Sequence, residues 1–334
     1  MKIALRMPNW LGDAVLALPA LHSLRRAFPE AEIHAVTRSW GPDLLEGHPS
    51  LNGVIPLPEA RDLKALRTSG TALKTFGFDR GILLTNSFSS AFVFYLAGIP
   101  ERWGYARDGR GILLTRAVPF KNRDGVRHQA DFYLHLIQAL GIEPAGLGPG
   151  LISNENDTAW ADEVLEKWGD AVDRPLVVLC PGAAYGPAKR WPADRFAALA
   201  RRLREEAGAA VAVVGESGDA AAAALILEAL DGHGLDLTGQ TTLSRLIAVL
   251  RRARLVVTND SGPLHIADAV GVPLVALFGP TNPAATGPRR GPAAVLKKEV
   301  PCWPCLYRSC PYDHRCMTRI EVEEAFEACR QLIA

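Results

Sequence analysis

The sequence predicts an α/β protein built from two doubly wound parallel sheets. Three observations carry that expectation: near-continuous apolar runs recur along the chain, amphipathic stretches with helical spacing separate them, and one glycine- and proline-rich stretch divides the series. Strands covered on both faces read as unbroken apolar runs, because helical crossovers lie above and below a parallel sheet. The alternation of strand and helix then specifies the doubly wound class.

In the first part the strand-like runs are KIALRM, EIHAVT, GVIPL and RGILLT; in the second they are PLVVLC, AVAVVG, RLVVT and PLVALFG. Between them, Phe196, Leu199 and Leu203, and likewise Leu243, Leu246, Ile247 and Leu250, recur at intervals that line one face of a helix. The stretch GIEPAGLGPG, from Gly141 to Gly150, concentrates turn-forming residues and places the boundary between domains 1–150 and 151–319. A last helical pattern, about 321–332, closes the chain.

Composition narrows the functional classes. A chain of 334 residues, 48% hydrophobic and 22% charged, can bury two cores of ordinary size. Its net charge of +1 excludes a global pull toward nucleic acid or an anionic membrane, so any such attraction is local. The early apolar run from Ala14 to Leu21 is interrupted by Pro19, which fits neither a signal peptide nor a membrane span. The expected location is cytoplasmic, with at most peripheral contact with the inner membrane. Of six cysteines, four lie between Cys302 and Cys316, unlike the spread framework of a secreted disulfide protein.

Ligands of parallel α/β sheets gather beyond the carboxyl ends of the strands, and four segments there carry chemistry. The first is PNWLGDA, in which Gly12 permits a tight turn and Asp13 opens a helix. Asp13 reads either as a helix cap or as a base, since a carboxylate at a helix N-terminus stays ionised and can accept a hydroxyl proton. The second, LCPGAAYGPAKRWP, presents Lys189 and Arg190 on a glycine-rich loop; paired cations there suit a phosphate, and a solvated surface pair is the alternative. The third is AVAVVGESGD, where Glu216 follows a strand and can accept both hydrogen bonds of a ribose diol or simply start the next helix. The fourth contains NDSGPLHIADAVG: Asp260 or Ser261 caps a helix with Pro263 in its first turn, and the amides near Ser261 and Gly262 face an anion. His265 lies in the same first turn, facing ligand or core. No two aspartates have DxD spacing, so a departing diphosphate would be met by lysine, arginine and helix amides.

Taken in order, GDAVLALPALHSLRRAFPEAEI, PGAAYGPAKRWP and NDSGPLHIADAVGVPLVALFGPTNP resemble the family 9 glycosyltransferases. Within that family the segments resemble the lipopolysaccharide heptosyltransferases, in particular those that add the second core heptose. The resemblance implies a GT-B fold, two Rossmann-like domains facing a central cleft, with the acceptor on the first and the nucleotide sugar on the second. It further implies that the C-terminal helix, about 320–334, packs back on the first domain. The implied reaction is an inverting, metal-independent transfer of heptose from ADP-heptose to a lipid-linked inner-core acceptor, with no cofactor. By position, Asp13 matches the base, Lys189 the lysine on the diphosphate, Glu216 the acid on the ribose, and Asp260, Ser261, Gly262, Pro263 and His265 the donor segment.

A local charge excess fits a phosphorylated acceptor. Between Glu101 and His128, seven cations (Arg102, Arg107, Arg110, Arg116, Lys121, Arg123 and Arg127) stand against three acids (Glu101, Asp108 and Asp124). The cysteines Cys302, Cys305, Cys310 and Cys316, with His314 among them, read as packed reduced thiols or as a zinc or iron–sulfur centre. A nucleotide-sugar epimerase of the same architecture is the rival enzyme, although it needs a second acid or base as well placed as Asp13. A family 9 transferase acting on a different sugar or polysaccharide is a further alternative, as is a non-catalytic metal-binding protein organised by the cysteines.

Overall fold

Each half of the chain builds one sheet of six parallel strands. The computed structural model describes residues 1–59, 62–120 and 128–333. The chain divides into a unit Met1–Gly150 and a unit Leu151–Ala334.

The first sheet contains β1 (Lys2–Arg6), β2 (Glu32–Thr37), β3 (Gly53–Pro56), β4 (Arg80–Leu83), β5 (Glu101–Ala106) and β6 (Arg116–Pro119), ordered β3-β2-β1-β4-β5-β6. All its neighbours pair in parallel, with Ile3 opposite Ile33 and Leu5 opposite Ile82 at its centre. The second contains β7 (Leu176–Cys180), β8 (Ala210–Val213), β9 (Leu235–Asp236), β10 (Leu255–Asn259), β11 (Leu274–Phe278) and β12 (Ala293–Lys297), ordered β12-β11-β10-β7-β8-β9. Chain order therefore reverses beside the first strand of each unit, between β1 and β4 and between β7 and β10. Such a reversal opens a crevice at the carboxyl ends of the strands.

All eight apolar runs form strands, and strands β5, β6, β9 and β12 join them toward the sheet margins. Strand β12 alternates exposed and half-buried residues, while β9 has only two residues. A marginal strand needs little apolar surface. Helices Ala193–Glu205 and Leu243–Arg252 bury the faces that their spacing specifies: Phe196, Leu199 and Leu203 on one, Leu246, Ile247 and Leu250 on the other.

The C-terminal helix, Val322–Ile333, belongs to the second unit. Its Ala325, Phe326, Ala328 and Cys329 lie in the same core as Val177, Val257 and Leu203. This corrects the expectation that it packs back on the first domain. The physical reason is its strong amphipathic face: four buried side chains fill a groove over strands β10 to β12 and helix Ala193–Glu205.

Candidate active site

In the first unit the loop after β1 is held before any ligand arrives. Arg6, buried at the strand end, donates to Met7 O, Val36 O and Asn9 Oδ1 at 3.0, 2.9 and 2.7 Å. Burial, reinforced by Arg38, lowers the Arg6 pKa to about 10. Helix Leu11–Leu16 follows, and its N-cap is Trp10, so Asp13 occupies the first turn and is not the cap. Gly12 is likewise a helical residue of that turn and forms no tight turn of its own. Both corrections have one cause: the chain bends at Asn9 and Trp10, so the change of direction is complete before Gly12.

Half-buried Asp13 acts on Tyr133, whose phenol is held above its ordinary pKa first by burial and then by the Asp13 charge. Gln129 Nε2 donates to the Tyr133 oxygen at 3.0 Å. Tyr133, on helix Gln129–Ala139, was not read from the sequence, where it is one aromatic in an amphipathic stretch. Across the reversal, the loop after β4 carries Ser87, which caps helix Phe88–Leu96 through Ser90 N.

Among the described residues, the cations of the basic cluster divide between the fold and the surface. Arg110 is fully buried, donates to Tyr105 O at 2.8 Å, and has its pKa lowered to about 10 by burial, so it belongs to the fold and not to an acceptor surface. Arg102 is tied to Leu113 O and Ile99 O. Arg107 and Arg116 are exposed. Lys121, Arg123, Asp124 and Arg127 lie outside the described residues.

In the second unit, three strand-end loops meet through hydrogen bonds. Lys189 Nζ lies 2.5 Å from Asp260 Oδ2 and 4.8 Å from the centre of the Tyr185 ring. Asp260 is 2% exposed and also accepts from Thr281 Oγ1 at 2.6 Å. Its carboxylate thus faces the lysine, and the cap position of helix Gly262–Val270 falls to Ser261. The Ser261 hydroxyl turns back to Asn259 O at 3.2 Å, and no side chain caps that helix. Pro263 brings no N–H to the first turn, and His265 is buried one residue beyond Leu264.

Arg190 and Glu216 converge on a residue that sequence reasoning missed. Asp219 Oδ1 lies 3.1 Å from Arg190 Nη2, and its Oδ2 accepts from Glu216 N at 3.1 Å. A Cβ on Gly182 would sit 2.2 Å from the same Oδ2, so the loop after β7 approaches Asp219 as only glycine allows. Asn259 is a second missed residue: it accepts from Trp191 N at 3.0 Å and donates to Pro181 O at 2.8 Å. Glu216 itself is exposed at the start of a short helical turn, Ser217–Asp219.

The four clustered cysteines line one cavity of about 330 Å³. Cys302 is exposed, Cys305 and Cys310 are half-buried and Cys316 is buried, so packed thiol describes only the last. Among the described residues, no three His, Cys, Asp or Glu side chains group so as to hold a metal ion.

The profile of Glycosyltransferase family 9 (heptosyltransferase) matches residues 66–315. The chain belongs to glycosyltransferase family 9. Within the family it is 33% identical over 311 residues to lipopolysaccharide heptosyltransferase 2 of Escherichia coli strain K12, covering 89% of this chain and 88% of that one. It is 32% identical over 318 residues to lipooligosaccharide heptosyltransferase 2 of Haemophilus influenzae, with the same coverage. The structure of E. coli ADP-heptose lps heptosyltransferase II superposes with a TM-score of 0.85 at 30% identity, over 100% of this chain and 98% of that one. The two parallel sheets match the GT-B fold of that enzyme. Family 9 membership makes this chain a glycosyltransferase and does not favour the epimerase alternative.

Proposed function

We propose that this family 9 enzyme transfers a heptose from ADP-heptose to the inner core of lipopolysaccharide, with inversion and without a metal ion. The observation that carries this reading is the place of its motifs in the two sheets. Asp13 follows β1, while Lys189 follows β7 and Asp260 follows β10, all at carboxyl ends beside an order reversal. The heptosyltransferase names of its relatives supply the sugar and the acceptor class.

In this mechanism Asp13 takes the proton of an acceptor hydroxyl as that oxygen attacks the anomeric carbon. The bond to ADP breaks on the opposite face, so configuration inverts in a single displacement. Lys189, Arg190 and the uncapped amides at Ser261 and Gly262 take up the charge that grows on the leaving diphosphate. Glu216 accepts from the ribose hydroxyls, and Tyr133, kept protonated, lies within the field of the Asp13 charge. The first unit serves the acceptor and the second the nucleotide sugar.

The acceptor is anchored in lipid, and we place the enzyme peripherally at the cytoplasmic face of the inner membrane. Among the described residues, no helix is long and apolar enough to cross one. The support for contact is local: Phe88, Phe92 and Tyr95 stack along the outer side of helix Phe88–Leu96, with Arg102 over the Tyr95 ring at 5.4 Å. Incubation with ADP-heptose and a truncated core acceptor tests the whole reading. The expected outcome is transfer; an isomerised sugar or unchanged reactants would overturn it.

A further inference from the structure

The segment from Pro301 to Met317 takes no part in the mechanism above, yet it grips the loop that carries Lys189 and the loop whose Thr281 bonds Asp260. On the lysine loop, Ala188 N donates to Arg308 O at 3.0 Å, His314 Nε2 donates to Ala188 O at 2.8 Å, and Tyr185 Oη donates to Leu306 O at 2.6 Å. On the loop after β11, Cys305 N and Leu306 N both donate to Pro280 O at 3.1 Å, and Trp303 Nε1 donates to Thr281 O at 3.1 Å. Ala188 precedes Lys189, and Thr281 is the hydroxyl partner of Asp260. The approach is close enough to dictate residue type, since a Cβ on Gly186 would lie 2.4 Å from Arg308 O. Ala188 and Pro280 are also walls of the cavity that the four thiols line. Whatever alters that cavity therefore presses on the backbone on either side of the Lys189–Asp260 pair.

We propose that this segment is a strap that sets Lys189 and the Asp260–Thr281 pair in place for the donor diphosphate, with His314 as its positioning residue. The thiol-lined cavity is then a modification site through which cysteine-directed reagents act on donor binding. His314 suits the role because its bond to Ala188 O fixes the proton on Nε2, and because it starts the short helix Arg315–Thr318 from a left-handed backbone, φ 57°. The proposal rests on the donor assignment made above, and its test separates the two.

The experiment measures ADP affinity by calorimetry on the full-length protein. His314→Ala should weaken ADP binding about five- to tenfold, the worth of one net hydrogen bond, while the KM for the acceptor stays unchanged. His314→Gln, whose amide N–H can reach the same carbonyl, should restore most of the affinity. Treatment of the native protein with iodoacetamide gives an independent arm that needs no folded variant. Each thiolate sulfur bonds to the acetamide carbon, iodide leaves, and the thiol proton passes to buffer. Labelling at Cys302, Cys305 and Cys310, followed by mass, should proceed in step with loss of ADP binding. The triple variant Cys302→Ser, Cys305→Ser, Cys310→Ser should keep its affinity under the same treatment. A folded His314→Ala protein with undiminished ADP affinity, or a fully labelled protein that binds ADP as before, would overturn the strap. Untreated wild type that fails to bind ADP would instead overturn the donor assignment.

Discussion

Lys189 Nζ and Asp260 Oδ2 lie 2.5 Å apart, with the lysine side chain 13% exposed and the aspartate 2%. A buried ion pair contributes little net stability, but removing one partner strands the other. Lys189→Met should therefore destabilise the second unit by about 3 kcal/mol and nearly abolish ADP binding. The double variant Lys189→Met, Asp260→Asn should regain most of the stability and none of the binding. Thermal melts with and without ADP separate the two effects, because a ligand stabilises only a fold that binds it.

Asp13→Asn should retain the melting temperature and ADP affinity of the wild type while transfer falls by about a hundredfold or more. Tyr133→Phe removes a phenol near Asp13 and should lower turnover by a smaller factor, with ADP binding unaffected. Near-normal transfer by the Asn variant would remove the base assignment.

Asp219→Ala should loosen three segments at once, the Gly182 loop, the Glu216 turn and Arg190. The expected loss is about 2 kcal/mol in urea unfolding, together with weaker ADP binding. Gly182→Ala, whose new methyl would collide with the Asp219 carboxylate, should reproduce the binding defect.

The buried Cys329 thiol is pushed from an ordinary value of 9 up to about 12 by burial. Above pH 9 the unfolded chain ionises this thiol while the folded one keeps its proton, so the stabilisation is complete below pH 9 and is lost as pH rises toward 12. Cys180, also held at about 12, adds to the same decline. Urea midpoints measured from pH 8 upward should fall, and Cys329→Ala should make the fall shallower.

Phe326 of the C-terminal helix is buried beneath Arg202, whose guanidinium carbon sits 4.0 Å from the ring centre. Phe326→Ala should cost about 3 to 5 kcal/mol, and the loss should appear in the melting of the second unit. A truncation removing the helix should leave that unit unable to bind ADP.

How far the sequence discloses this molecule depends on how local each signal is. Seven inner strands announce themselves as apolar runs because burial on both faces is written into consecutive residues, and the marginal β3 is apolar enough to read the same way. ERWGYA and RAVP do not, since β5 and β6 mix charged residues, half-buried in β5 and exposed in β6, with the few side chains that face the core. Lys189, Asp260 and Ser261 are legible as loop and helix-start residues, but the ion pair joining the first two spans 71 positions. Asp219 and Asn259 escape for the same reason: their partners at Gly182, Arg190 and Trp191 come close only once β7, β8 and β10 lie side by side. Of the two readings open for Asp13, the cap fails because the backbone at Trp10 is the one that enters the helix extended, although aspartate is a favoured capping residue.

The hydroxyl of Ser261, turned toward Asn259, gives helix Gly262–Val270 an unoccupied entrance. Most helices satisfy those N–H groups with a residue of their own, which an arriving anion must first dislodge. In the proposed reaction, a diphosphate arriving at that helix would have no side-chain cap to displace.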